Sequence, residues 1–146
     1  MSAPAHGSEP LRLRLAAPAL QQRLAHVRAQ LAAWAGHIGL SSDTVDDMVL
    51  ATHEALANVA DHAYPDGGGE AELEAVCAEG EICVVVSDHG RWQAPAVDAG
   101  WRGRGLVIIY GLADQVDVHQ ADAGTRVAMR WHFPAARGSR LQPTER

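Results

Sequence analysis

The sequence predicts an α/β sandwich in which a mixed, mostly antiparallel sheet carries its helices on one face. Three observations lead to that class. Five short segments, residues 11–15, 71–77, 82–87, 115–119 and 125–133, have the alternating or continuous apolar character of strands. Two longer segments, after Pro18 and after Ser41, repeat apolar residues every three or four positions, and a third, glycine-bounded helix begins at Gly103 to Gly105. The resulting order, β, α, α, β, β, α, β, β, fills a chain of 146 residues, which is enough for one full core and too short for two ordinary ones.

Residues 1–10 are rich in Pro, Gly, Ser and Ala and read as a disordered lead, so the folded domain is expected over residues 11–133. Leu11, Leu13 and Leu15 alternate with Arg12 and Arg14, the period of a half-buried strand whose arginines face water. The run Leu20, Leu24, Val27, Leu31 and Trp34 predicts a helix that reaches about His37 and stops near Gly39. Ser41, Ser42 and Asp43 are candidate N-caps for the second helix, Asp46 and Asp47 suit the positive end of its dipole, and Tyr64-Pro65 should end it. Glu79-Gly80 turns the first hairpin, and Val84, Val85 and Val86 form the continuous apolar run of a central strand. Residues 88–102 are irregular, residues 121–124 turn a second hairpin, and residues 134–146 read as a polar, disordered tail.

Composition narrows the chemistry. All 12 basic residues are arginines, so neither a Walker A loop nor the strand lysine of a eukaryotic-type protein kinase is available. A formal charge of −6 with scattered arginines argues against a direct nucleic-acid surface. No apolar run approaches the roughly 18 residues of a membrane span, and no signal-peptide core is evident, so a cytoplasmic protein is expected. Cys77 and Cys83 match no zinc spacing and are expected to be reduced thiols on adjacent strands.

The segment Glu54-Ala-Leu-Ala-Asn58 sets a carboxylate and a carboxamide one helical turn apart in an Ala-rich, apolar run, with His62 continuing the row. A buried glutamate is costly unless something pairs with it, and a metal ion, a nucleophile's proton or a neighbouring arginine could each do so. His53-Glu54 is not a zincin motif, because Ala57 stands where the second histidine is needed. Asp88 closes an apolar strand and is followed by Gly90; the carboxylate can accept a hydrogen bond from an exocyclic amine while the glycine lets a flat ring lie against the backbone. Gly103-Arg104-Gly105-Leu106 opens a helix whose free N–H groups suit phosphate, and Gly124-Thr125 precedes the last strand.

Taken in order, these four segments resemble the N, G1, G2 and G3 boxes of the GHKL (Bergerat-fold) ATPase superfamily. The short interval between Gly90 and Gly103 is most similar to its anti-sigma factor serine/threonine kinase branch. The resemblance covers roughly residues 11–133. It implies a Bergerat ATP-binding fold with ATP and Mg²⁺ as cofactors: Asn58 as the metal ligand, Glu54 as general base, Asp88 on the adenine amine and Gly90 beside the ring. Backbone amides of Gly103, Arg104, Gly105 and Leu106 would hold the phosphates, and Thr125 would add a polar contact near adenine.

The implied function is an anti-sigma factor that phosphorylates an anti-anti-sigma protein on serine or threonine. A homodimer is implied as well, and arginines 91, 102 and 104 are available to neutralise phosphate charge. The alternative is a nucleotide-binding interaction module without turnover. A histidine-kinase catalytic domain would require a helical hairpin bearing a phosphoacceptor histidine, and the helix over residues 18–37 stands alone. Trp92 stands where many members of the superfamily carry another glycine, residues 94–102 would form a short lid, and His62 and His89 are further candidates for nucleotide contact.

Overall fold

A computed structural model describes residues 9–64, 68–90 and 99–132, without the side chains of residues 99–105. The elements are β1 (Leu11–Ala16), a 3-10 turn (Ala17–Ala19), α1 (Leu20–Ile38), α2 (Ser42–Asn58), a π-helical turn (Val59–Ala63), β2 (Glu70–Ala78), β3 (Glu81–Asp88), α3 (Ala99–Leu112), β4 (Gln115–Ala121) and β5 (Gly124–His132). Residues 1–8 and 133–146, which contain most of the expected lead and the whole expected tail, lie outside the described residues, as do Arg91 and Trp92.

The five strands form one sheet in the order β1-β2-β3-β5-β4. Where a mixed, mostly antiparallel sheet was expected, all four pairings are antiparallel. The chain leaves β3, passes through α3 and runs along the edge as β4 before β5 returns between them, so β5 meets both neighbours in the opposite direction. The uninterrupted valines of β3 lie at the centre of the sheet, as expected.

Strand alternation separates two faces. Leu15, Leu73, Ala75, Val84, Val86, Val127, Met129 and Trp131 are buried on the face that carries the helices. Leu20, Leu24, Val27 and Leu31 of α1, Met48, Ala51, Ala55 and Leu56 of α2 and Ile109 of α3 complete the core. The opposite face is polar: Arg12 Nε lies 2.7 Å from Glu74 Oε2, and Arg130 Nη1 lies 2.9 Å from Asp117 Oδ2. Such exposed pairs contribute about 0–1 kcal/mol each. Between these strands runs a groove of about 390 Å³, lined by Arg12, Arg14, Glu72, Glu74, Ser87 and Arg126 among others.

The cysteines do sit on adjacent strands, but Cys77 is opposite Ile82 and Cys83 is opposite Val76. Their thiols therefore point to different faces and both are free. Burial pushes both thiols above their ordinary pKa.

Local chemistry sets the helix ends. Gly39 adopts φ 103°, and its N–H returns to the carbonyls of Ala35 and Gly36. The Ser41 hydroxyl oxygen accepts the N–H of Thr44 at 3.2 Å, which selects Ser41 among the three candidate caps of α2. The corner from α3 to β4 is tied to the sheet: Trp131 Nε1 donates to the Leu112 carbonyl at 2.9 Å, and Asp114 Oδ2 accepts the N–H of His132 at 2.8 Å. Replacing the cap, Ser41→Ala, is expected to lower the unfolding free energy by about 1 kcal/mol, read from urea denaturation.

Candidate functional site

Helix α2 packs against both α1 and α3, and its last α-helical residue is Asn58. Asn58 is buried, whereas Glu54, one turn earlier, is partly exposed. Among the described residues the Asn58 amide nitrogen has no hydrogen-bond partner. A buried amide N–H left unpaired is uncommon in a packed core and suits an acceptor supplied by a bound group, such as a phosphate oxygen. His53 points away from this pair toward α1, where its Nδ1 lies 3.0 Å from Arg28 Nη1. Arginine can only donate, so Nδ1 accepts.

After Asn58 the chain widens into the π-helical turn Val59–Ala63, whose i→i+5 bonding takes up an extra residue. His62 lies within that turn, four residues beyond Asn58. Burial holds the His62 imidazole below its ordinary pKa of 6.5, and neighbouring Asp61 only partly offsets this.

Asp88, at the end of β3, is 3% exposed and directly opposite Thr125, which is 5% exposed. Both belong to the helix-covered face. Asp88 Oδ1 accepts the N–H of Gly90 at 2.9 Å, so the loop leaving β3 folds back on its own carboxylate. Two glycines make this corner possible. A Cβ on Gly90 would overlap the carbonyl of Ala63, in the π-helical turn; one on Gly124, at φ +144°, would overlap the carbonyl of Asp88. Asn58's helix end, the Asp88–Gly90 loop and the Gly124-Thr125 step thus converge through backbone contacts.

Tyr64 was not singled out from the sequence, and it belongs to this corner. Its hydroxyl donates to the Glu70 carbonyl at 2.7 Å and accepts the N–H of His89 at 2.8 Å. Its position after the Asn58 helix was the available signal; a tyrosine there reads simply as the helix end.

The third helix differs from expectation. It begins at Ala99, four residues before Gly103, because glycine weakens a helix by about 1 kcal/mol without forbidding it and no proline interrupts this stretch. The amides of Gly103, Arg104, Gly105 and Leu106 consequently lie inside the wound helix rather than among its free N-terminal N–H groups. Leu106 is partly buried against the core.

The architecture is an α/β sandwich whose chemistry-bearing residues gather where the central strands meet the end of one helix. Residues 17–131 match the family model described as a histidine kinase-like ATPase domain. The chain belongs to that family. It is 29% identical over 136 residues to the serine-protein kinase RsbW of Halalkalibacterium halodurans, covering 83% of each chain. It is likewise 29% identical to the serine-protein kinase RsbW of Bacillus thuringiensis, over 81% of this chain and 82% of that one. Among solved structures it resembles the crystal structure of the RsbU and RsbW domains of a Mycobacterium tuberculosis protein, with a TM-score of 0.64 and 25% identity. That match covers 86% of this chain and 32% of the longer one.

Two predictions test the corner. Gly124→Ala is expected to lower the unfolding free energy by about 1–3 kcal/mol, since its Cβ meets backbone. Gly36→Ala in α1, where a Cβ meets nothing within 4 Å, should be neutral or stabilising by up to about 1 kcal/mol in the same urea titration. For His62, the unfolded chain binds the proton at higher pH than the folded one, so its effect on stability is absent above about pH 6.5 and destabilises the fold as pH falls through that value. His62→Gln should flatten that part of the stability profile between about pH 7.5 and 5.

Proposed function

We propose that this chain is an ATP-dependent protein serine/threonine kinase that acts as an anti-sigma factor in the cytoplasm, with an anti-anti-sigma protein as its phosphate acceptor. The observation that carries the reading is the pairing of a partly exposed Glu54 with a buried Asn58 one turn away, in a chain similar to proteins named serine-protein kinases. In-line phosphoryl transfer requires positioning and charge neutralisation more than covalent chemistry from the protein.

The Asn58 carboxamide oxygen would be the protein's ligand to Mg²⁺, an ion that keeps most of its waters and takes few protein oxygens. Mg²⁺, when bound, supplies charge neutralisation across the phosphates. Glu54 would accept the proton of the acceptor hydroxyl as its oxygen bonds to the γ-phosphorus. The bond from that phosphorus to the β–γ bridging oxygen breaks, and ADP leaves with that oxygen. Asp88 would accept a hydrogen bond from the adenine amine, with Thr125 beside it and Gly90 flanking the ring, although the space a Cβ on Gly90 would take is filled by the Ala63 carbonyl rather than open to the base.

A phosphate role for Gly103, Arg104, Gly105 and Leu106 requires the first turns of α3 to open. In the wound helix their N–H groups are directed to carbonyls four residues back. Arg91, Arg102 and Arg104 would neutralise phosphate charge; Arg91 and the side chains of the other two lie outside the described residues.

Two variants test the assignment. Glu54→Gln should retain ATP affinity within about threefold in calorimetric titration while transfer of labelled phosphate to the partner falls by at least about 10²-fold. Retained transfer would remove Glu54 from the role of base. Asn58→Ala should abolish the Mg²⁺-dependent part of ATP binding, and unchanged Mg²⁺ dependence would exclude Asn58 as the ligand.

A further inference from the structure

The phenol of Tyr64 occupies a position that neither the motif set nor the proposed chemistry uses. It follows the π-helical turn Val59–Ala63 and stands between two stretches of chain that are distant in sequence. Its hydroxyl donates to the carbonyl of Glu70, the first residue of β2, at 2.7 Å. The same oxygen accepts the N–H of His89 at 2.8 Å, between Asp88 and Gly90. The ring is confined too: a Cβ on Gly69 would overlap its edge carbons, and one on Gly90 would stand 2.9 Å from Cε1. Gly69 adopts φ +139°, a conformation that already favours glycine.

We infer that Tyr64 is a positioning residue for base recognition: its hydroxyl pins the Asp88–Gly90 loop and thereby sets affinity and selectivity for adenine over guanine nucleotides. This rests on the assignment of Asp88 to the adenine amine. The connection is short and continuous. Tyr64 fixes the N–H of His89, the next amide along, that of Gly90, is bonded to Asp88 Oδ1 at 2.9 Å, and that bond orients the carboxylate. A carboxylate so placed accepts from the amine of adenine and is repelled by the carbonyl oxygen that guanine carries at the same ring position. Removing the hydroxyl frees the His89 amide and lets the loop move while the ring still fills its place between the glycines.

The test compares wild type with Tyr64→Phe, which deletes one oxygen and keeps the ring. Titration with ATP and GTP in Mg²⁺ is expected to show ATP binding weakened about fivefold to tenfold with GTP binding changed by less than about twofold, so that selectivity narrows. In phosphotransfer, the rise should appear in KM for ATP with kcat at saturation within about twofold. Equal weakening of both nucleotides, or a loss confined to kcat, would overturn the positioning role. If wild type binds no ATP, the nucleotide reading itself fails and this inference with it. If wild type binds ATP and Tyr64→Phe leaves both affinities unchanged, the inference alone fails. Amide hydrogen exchange of the nucleotide-free wild type provides a measurement that needs no variant: the His89 N–H should be protected although its side chain is exposed. Exchange at the rate of an unstructured loop would overturn the pin.

Discussion

Two backbone carbonyls, those of Ala63 and Asp88, occupy the places where Cβ atoms on Gly90 and Gly124 would stand, and the candidate site depends on these two close approaches. The first presses the loop after β3 onto the turn that follows α2. The second presses the start of β5 onto the end of β3. Together they bring the helix that carries Glu54 and Asn58 to the pair formed by Asp88 and Thr125, using main chain rather than long side chains. Main-chain contacts of this kind do not stretch. A methyl group at either glycine would have to displace backbone rather than the end of a side chain.

That opposite face follows different physics. Its arginines and carboxylates stand in rows across the strands, exposed and weakly paired, and they contribute solvation more than cohesion. Cohesion comes from the apolar layer between sheet and helices, where Leu, Val, Ile and Met residues are almost completely excluded from water. Asp88 and Thr125 are polar intrusions into that layer, and Asp88 is bonded to the backbone of Gly90. Burying a carboxylate is costly without such partners, which ties the position of this residue to the geometry of its loop.

Much of this was legible in the chain. Leu11, Leu13 and Leu15 alternating with arginines specified a half-buried strand and its outer face, Gly39 and Ser41 marked one helix end and one helix start, and the valines of β3 marked the centre of the sheet. These signals are local: they depend on a period of two, a period near three and a half, or a single capping residue. What escaped was set by contacts between distant segments. The widening after Asn58 leaves no mark in composition. The extension of α3 back to Ala99 runs through glycines that local propensity counts against a helix. Tyr64 gains its role only because Glu70 and the His89 amide come within reach of one oxygen. Gly124 looked like an ordinary hairpin glycine, and only the fold brings the Asp88 carbonyl against it.

The strand order has a consequence in time as well as in space. The central strand, β3, pairs with β5 on one side, and β5 enters between two strands that precede it in the chain. As the polypeptide leaves the ribosome, everything through β4 can emerge while the place beside Asp88 still lacks Thr125. The nascent chain meanwhile presents the open long edge of β3, with the apolar sides of Val84 and Val86, for any strand that arrives first. Completion by β5 converts that edge into the interior of the sheet, so the step that closes the vulnerable edge is also the step that assembles the candidate pocket. A released chain with this corner formed is therefore one whose sheet has already been closed.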